Sequence, residues 1–510
     1  MFKKILSMMF NRIVLTIFLI LIQIVLLTFI TLKFASYHSF VSGIMILISV
    51  VLSLVIIRRD GCSSYKLIWI FIMCLFPILG GMAYILFGDK RPARRMNRQI
   101  SMQIAAEAVY TRQDATVFSR LEGRCAGTAK YISEYGGFPI WQNSSARYFK
   151  CGEEFFPVLI EELEKAEHFI FMEYFIIAKG YMWDTVLGVL ERKAAKGVDV
   201  RIIYDDMGCM AQLPRDYINK LAEKKIKAMS FNRFIPVISV IMNHRDHRKI
   251  TVIDGHTAFT GGINLSDEYI NKIERFGYWK DTAVMIQGDA VINFTVMFSH
   301  LWNAFNENKI NCGECMPHSR HPDPFEGDLF VQPFSDSPLD NEQVSENVYL
   351  DIISQAEKYV YIFTPYLIID DQMRVALSLA AKRGVDVRIV TPGIPDKKAV
   401  FRVTRSYYQT LIAAGVKIYE YAPGFIHAKS YVCDDHIAVV GSINMDFRSL
   451  YLHFECGTFM VARGLDEAIL SIKKDCLEVF EQSRPIMPRE SRNFSHSLYD
   501  ALLRVFSPLI

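Results

Sequence analysis

The stretch His247-Arg-Lys-Ile-Thr-Val-Ile-Asp-Gly-His-Thr-Ala-Phe-Thr-Gly-Gly-Ile-Asn264 decides the fold of this chain, because it comes twice. His427-Ala-Lys429, four residues, Asp434, six residues and then Gly441-Ser442-Ile443-Asn444 repeat the spacing of His247, Lys249, Asp254, Gly261, Gly262 and Asn264. In each copy His and Lys stand two apart at the head of an apolar run, and the alternation of a strand puts both on one face. Asp254 and Asp434 fall on the other face, where a carboxylate braces a turn or the backbone. Gly255 and Asp435 mark hairpin turns whose second strands run into Gly261-Gly262 and Gly441-Ser442. Small residues at Gly262 and Ser442 let backbone amides approach a phosphate, and Asn264 and Asn444 add amide donors. One His-x-Lys in a strand is commonplace; two copies with matched positions are not chance. Each copy offers a nucleophile or acid, a cation and neutral donors.

The surroundings of the two motifs are also alike. Residues 153–166 carry apolar positions at helical spacing, 168–177 read as a buried strand, 182–196 as a helix and 198–204 as a strand. The same order returns as helix 348–356, strand 359–369, helix 373–382 and strand 385–391, with further helices at 217–224 and 407–414. The wording is shared, Ala194-Ala-Lys-Gly-Val-Asp-Val-Arg-Ile202 against Ala380-Ala-Lys-Arg-Gly-Val-Asp-Val-Arg-Ile389. This predicts an α/β protein of two tandem halves, 143–307 and 335–510, joined by a linker 308–334 rich in Pro, Cys, His and Gly. Cys312-Gly-Glu-Cys315 in that linker has ligand-like spacing but no second pair, and reads as solvated. The ten cysteines follow no disulfide framework and suit a reducing compartment.

The region 1–90 differs in kind. Runs 13–32 and 40–57 are apolar and uncharged over about the 17–25 residues that cross a bilayer. The first is too long for a cleaved secretory core. A third run, 67–87, is broken by Pro77 and Gly80-Gly81. If all three crossed, the flanking Lys and Arg would divide between the two sides. If the third is re-entrant, nearly all fall on one side, which the positive-inside rule favours and which makes the catalytic halves cytoplasmic. A basic linker and entry segment, 91–142, follows; Lys90, Arg91, Arg94, Arg95 and Arg98 are placed to meet anionic headgroups, each contributing about 1 kcal/mol. Net charge of +3 gives no ground for nucleic acid.

The doubled pattern resembles the phospholipase D superfamily, with its signature His-x-Lys-x(4)-Asp-x(6)-Gly-[Gly/Ser]-x-Asn, over residues 143–480. Within it the chain looks most like bacterial cardiolipin synthases, on Gly261-Gly-Ile-Asn-Leu-Ser-Asp-Glu-Tyr269, Trp279-Lys-Asp281, Ala413-Ala-Gly-Val-Lys-Ile-Tyr-Glu-Tyr421, Asn444-Met-Asp-Phe-Arg-Ser449 and the stretch from Arg58 to Gly88. The resemblance implies His247, Lys249, Asp254, His427, Lys429 and Asp434 as the catalytic set, and Asp281 and Glu455 as acids orienting the imidazoles. It implies transfer of a phosphatidyl group from one phosphatidylglycerol to another through a phosphatidyl-histidine. The expected product is cardiolipin with release of glycerol, in a multi-pass protein of the bacterial cell membrane. The family often has Asn where this chain has His453. No cofactor is expected: there is no Walker loop, no His-Glu-x-x-His and no carboxylate cluster for two metals. The competing reading is a phospholipase D-type hydrolase using the same residues with water as acceptor.

Overall fold

The computed structural model describes residues 39–59, 61–76, 80, 81, 83, 84, 93–121, 123–234, 243–340, 342–488 and 494–509, with isolated positions between 21 and 33. Phe169–Tyr174 is buried at every position, as a strand covered on both faces must be. It pairs in parallel with Asp199–Asp205, which pairs in parallel with Lys227–Phe231. Helices Tyr181–Ala195 and Tyr217–Glu223 lie between these strands in the chain. On its other edge Phe169–Tyr174 meets the antiparallel strand Lys249–Ile253, followed by Thr257–Gly261 and Ala283–Gly288. The second half repeats the plan: Tyr359–Phe363, Asp386–Pro392 and Lys417–Tyr421 are parallel, while Ser430–Cys433, Ile437–Gly441 and His453–Val461 are antiparallel.

The two sheets are one. Trp141–Phe149 of the first half pairs antiparallel with Leu329–Asp336 of the second, so hydrogen bonding runs unbroken from one half to the other. The strand at Leu329 starts inside the segment read from composition as linker. The earlier part of that segment is not solvated either: Cys312 and Cys315 are buried, and Cys312 Sγ lies 3.3 Å from Glu107 Oε2.

Elements depart from expectation where local chemistry intervenes. The strand expected over 359–369 ends at Phe363, because Pro365 has no N–H to donate and Thr364 Oγ1 instead accepts from Met445 N at 3.2 Å. The helix expected at 407–414 runs from Lys398 to Ile412, its first turns held by buried Phe401 and Val403. Asp254 and Asp434 hold the hairpin turns, at φ +49° and +51°. Each carboxylate accepts three backbone N–H groups, from Glu167, His168 and Phe169 in one half and from Glu357, Lys358 and Tyr359 in the other.

Of the apolar runs, 13–32 lies almost wholly outside the described residues. Ser39–Arg58 is a helix of 20 residues with Leu47, Leu54 and Ile57 about three-fifths exposed. Among the described residues, no helix is long and apolar enough to cross a membrane. Ser63–Leu75 is a second helix. Gly80 then lies against the backbone of Ile72 and Met73, so close that a Cβ would stand 2.8 Å from Met73 Cα. Tyr84 returns to stack edge-on against Trp69 and to accept from Arg59 Nη1 at 2.9 Å. Tyr65 packs edge-on against Phe447 and Tyr451, three residues and more beyond the second motif's Asn444. Helix Arg94–Glu107 carries Arg94, Arg95 and Arg98 exposed on its first turns.

Candidate active site

Two short parallel strand pairs cross between the halves and build the site. Arg245–Asp246, just before His247, pairs with His453–Phe454, just before Glu455. Gly424–Ile426, just before His427, pairs with Tyr278–Lys280, just before Asp281. The ladders continue into the histidines: His247 N donates to Phe454 O at 2.9 Å, and His427 N to Lys280 O at 2.7 Å. Each histidine therefore leaves its own sheet and joins the other half, which is why neither lies in the strand that carries its apolar run.

The consequence is a reciprocal exchange of acids. His247 Nδ1 donates to Glu455 Oε2 at 3.0 Å, and His427 Nδ1 to Asp281 Oδ2 at 2.7 Å. Both acids are fully buried, both imidazoles nearly so. A ring whose Nδ1–H is held by a carboxylate presents Nε2 as a lone pair. Burial pushes His247 down to about 3, against the pull of Glu455, and pushes His427 down as well, aided by Lys429 and Lys249. Both rings are thus neutral near pH 7. The acids part company. Burial raises Asp281 to about 6 in spite of Lys429, whereas in Glu455 burial is outweighed by His247 and the carboxyl is held below its usual range.

Lys249 and Lys429 are buried, and each ammonium donates to the carbonyl of its own motif's histidine, His247 and His427. Burial lowers Lys249 to about 8 and Lys429 to about 7, with Glu455 and Asp281 opposing. The residue after each glycine contacts the acid. Gly262 leaves room for it, since a Cβ there would stand 2.1 Å from Asp281 Oδ1. Ser442 binds it, its Oγ donating to Glu455 Oε2 at 2.5 Å.

The asparagines differ. Asn264 is committed to the protein, accepting from Ile176 N at 3.0 Å and donating to Tyr269 Oη at 2.7 Å. Asn444 is buried and, among the described residues, its Oδ1 has no hydrogen-bond partner. Phe175 packs edge-on at 4.9 Å against His247, and Tyr269 and Trp279 each stand 5.5 Å from the ring of His427. Asp254 and Asp434 do not join this cluster; they stay on the hairpin turns.

Two features were not read from the sequence. The exchange of acids is one; the equivalent positions of Asp281 and Glu455 pointed to their role but not to which imidazole each holds. The other is a third imidazole, His453, whose ring lies 5.5 Å from that of His247 and whose Nδ1 is 3.7 Å from Glu455 Oε1. Its offset of two residues before the acid was the available signal.

Comparison with known proteins agrees with this geometry. Residues 159–302 and 349–482 match the family described as cardiolipin synthase, PLD-like domain, and 45–88 match the phospholipase D-nuclease N-terminal family. The chain is 44% identical to an uncharacterized protein of Streptococcus mutans serotype c, over 91% of this chain and all of that one. It is 32% identical to a cardiolipin synthase of Geobacillus sp. strain WCH70, covering 92% of this chain and 94% of the relative. Among solved structures, a phosphatidylserine synthase of Haemophilus influenzae Rd KW20 shares the fold, with a TM-score of 0.55, 15% identity, and 76% of this chain and 98% of the other covered.

Proposed function

This chain belongs to the bacterial cardiolipin synthases of the phospholipase D superfamily, and we propose that its two halves close on a single phosphodiester and divide the chemistry between them. His247 Nε2 attacks the phosphorus of one phosphatidylglycerol. The bond from phosphorus to the glycerol oxygen breaks, and His427, which takes up a proton at Nε2 as the anionic diester binds beside it, gives that proton to the oxygen, leaving a phosphatidyl-histidine. The glycerol hydroxyl of a second phosphatidylglycerol then enters, His427 takes back its proton, and its oxygen displaces His247 to yield cardiolipin. Lys249 and Lys429 meet the charge on the nonbridging oxygens.

The reciprocal exchange of acids carries this reading, because it ties each imidazole to the half that does not own it and leaves the Nε2 of each for a separate task. The unequal acids support His247 as nucleophile. Glu455, held ionised, suits the cation that a phosphorylated imidazole becomes, while Asp281, raised to about 6, suits a partner through which a proton comes and goes. The apolar, exposed helix Ser39–Arg58 and the returning segment after Ser63–Leu75 support anchoring in the bacterial membrane by more than one pass, with the catalytic halves cytoplasmic and Arg94, Arg95 and Arg98 facing anionic lipid.

Purified enzyme given phosphatidylglycerol alone should form cardiolipin and glycerol in equal amounts. Phosphatidic acid as the main product would mean that water is the acceptor and that the chain is a hydrolase.

A further inference from the structure

His453 takes no part in the proposed transfer, yet it is built into the site. We propose that His247, His453 and Glu455 form a binding site for one divalent transition-metal ion of the zinc type, and that filling it arrests the enzyme. Each residue offers one ligand atom, and these atoms lie within 4.8 Å of one another. Glu455 Oε1 is 2.9 Å from His247 Nδ1 and 3.7 Å from His453 Nδ1. A second observation points to a ligand. Glu455 Oε1 and His453 Nδ1 are both buried and, among the described residues, neither has an aligned hydrogen-bond partner, the acid's aligned bond to His247 running through Oε2. Buried polar atoms left unmatched in this way are uncommon, and a cation between them satisfies both.

The donor set selects the ion. Two imidazoles and a carboxylate with a fourth position open is a ligand set of catalytic zinc, at bond lengths of about 2.0–2.2 Å. Calcium and magnesium, which prefer oxygen donors throughout, are not suited. Asparagine at position 453 has no imidazole nitrogen to offer a metal of this type, so the third ligand belongs to the histidine. The charge of Lys249, which pulls the opposite way, keeps the affinity modest.

Arrest follows from the ring's own proton. With the metal on His247 Nδ1, that proton shifts to Nε2, no net proton is lost, and the lone pair aimed at phosphorus is gone. The binding stands apart from the proposed reaction; only the arrest rests on it.

Two measurements on full-length protein in detergent test this. In equilibrium dialysis against zinc chloride, wild type should hold one more equivalent of zinc than His453→Asn. Cardiolipin formation, normalised to each protein's zinc-free rate, should fall in wild type, recover with EDTA, and require about 10- to 100-fold more zinc in the variant. Equal stoichiometry in the two proteins, or inhibition of both at the same zinc concentration, overturns the site. A zinc-free wild type that makes no cardiolipin would instead overturn the reaction, while dialysis would still report on the metal.

Discussion

In the first half the residue after Gly261 is Gly262 and the acid downstream is the short Asp281; in the second they are Ser442 and the longer Glu455. The acid of the first half takes the space a side chain would need, whereas that of the second reaches a hydroxyl and keeps its charge. Two copies of one motif have thus drawn apart at the oxygen atoms that hold the imidazoles, and not at the imidazoles themselves. The difference teaches that chemical roles in a duplicated site can be assigned by what stands behind the reacting groups.

The largest effect should come from the imidazoles. His247→Ala and His427→Ala should each abolish detectable turnover with the fold kept, as circular dichroism would check. A phosphatidyl ester of p-nitrophenol, whose leaving group needs no proton, should restore phosphoenzyme formation to His427→Ala and not to His247→Ala. The reverse pattern would exchange the two roles. Next come the acids: Glu455→Gln and Asp281→Asn should each slow turnover by about 10²- to 10⁴-fold. The activated ester should rescue only Asp281→Asn, and equal rescue of both would erase the contrast between the halves.

The lysines sharpen the comparison through pH. An ammonium is present below its pKa and lost above it, and burial has brought Lys249 to about 8 and Lys429 to about 7. The kcat/KM of free enzyme should therefore fall as pH rises from about 7 to 9, Lys429 losing its proton first. A bound diester raises both groups, so kcat should fall only at higher pH. Coincident profiles would count against the lysines as phosphate ligands. The smallest effect on turnover belongs to the turn-bracing carboxylates. Asp254→Ala or Asp434→Ala strands three backbone N–H groups and should cost about 2–4 kcal/mol in denaturant unfolding, with kcat per folded molecule changed little.

What could be read in the sequence was whatever depends on short-range pattern. Both His-x-Lys motifs, the alternation of strand and helix and the bracing role of Asp254 follow from spacing within one segment; the alternation and the brace recur in the structure, while each histidine stands outside the strand that carries its apolar run. What could not be read depends on contacts far apart in the chain. Glu455 and Asp281 each stand at the head of the apolar run after their motif, and only the crossing strand pairs decide that each serves the other half's histidine. Asn264 looked like a donor for phosphate because nothing nearby in sequence announces Ile176 N and Tyr269 Oη as its partners. The buried placement of Cys312 was equally hidden, since Glu107 approaches from another element.

The unbroken sheet through Trp141–Phe149 and Leu329–Asp336, with the acids traded across it, has a consequence for each repeat. Deleting either repeat would orphan the survivor twice over, stranding a histidine without its carboxylate and a carboxylate without its histidine. Neither copy could then work alone: it would have to meet a second copy of itself to regain the carboxylate it lost.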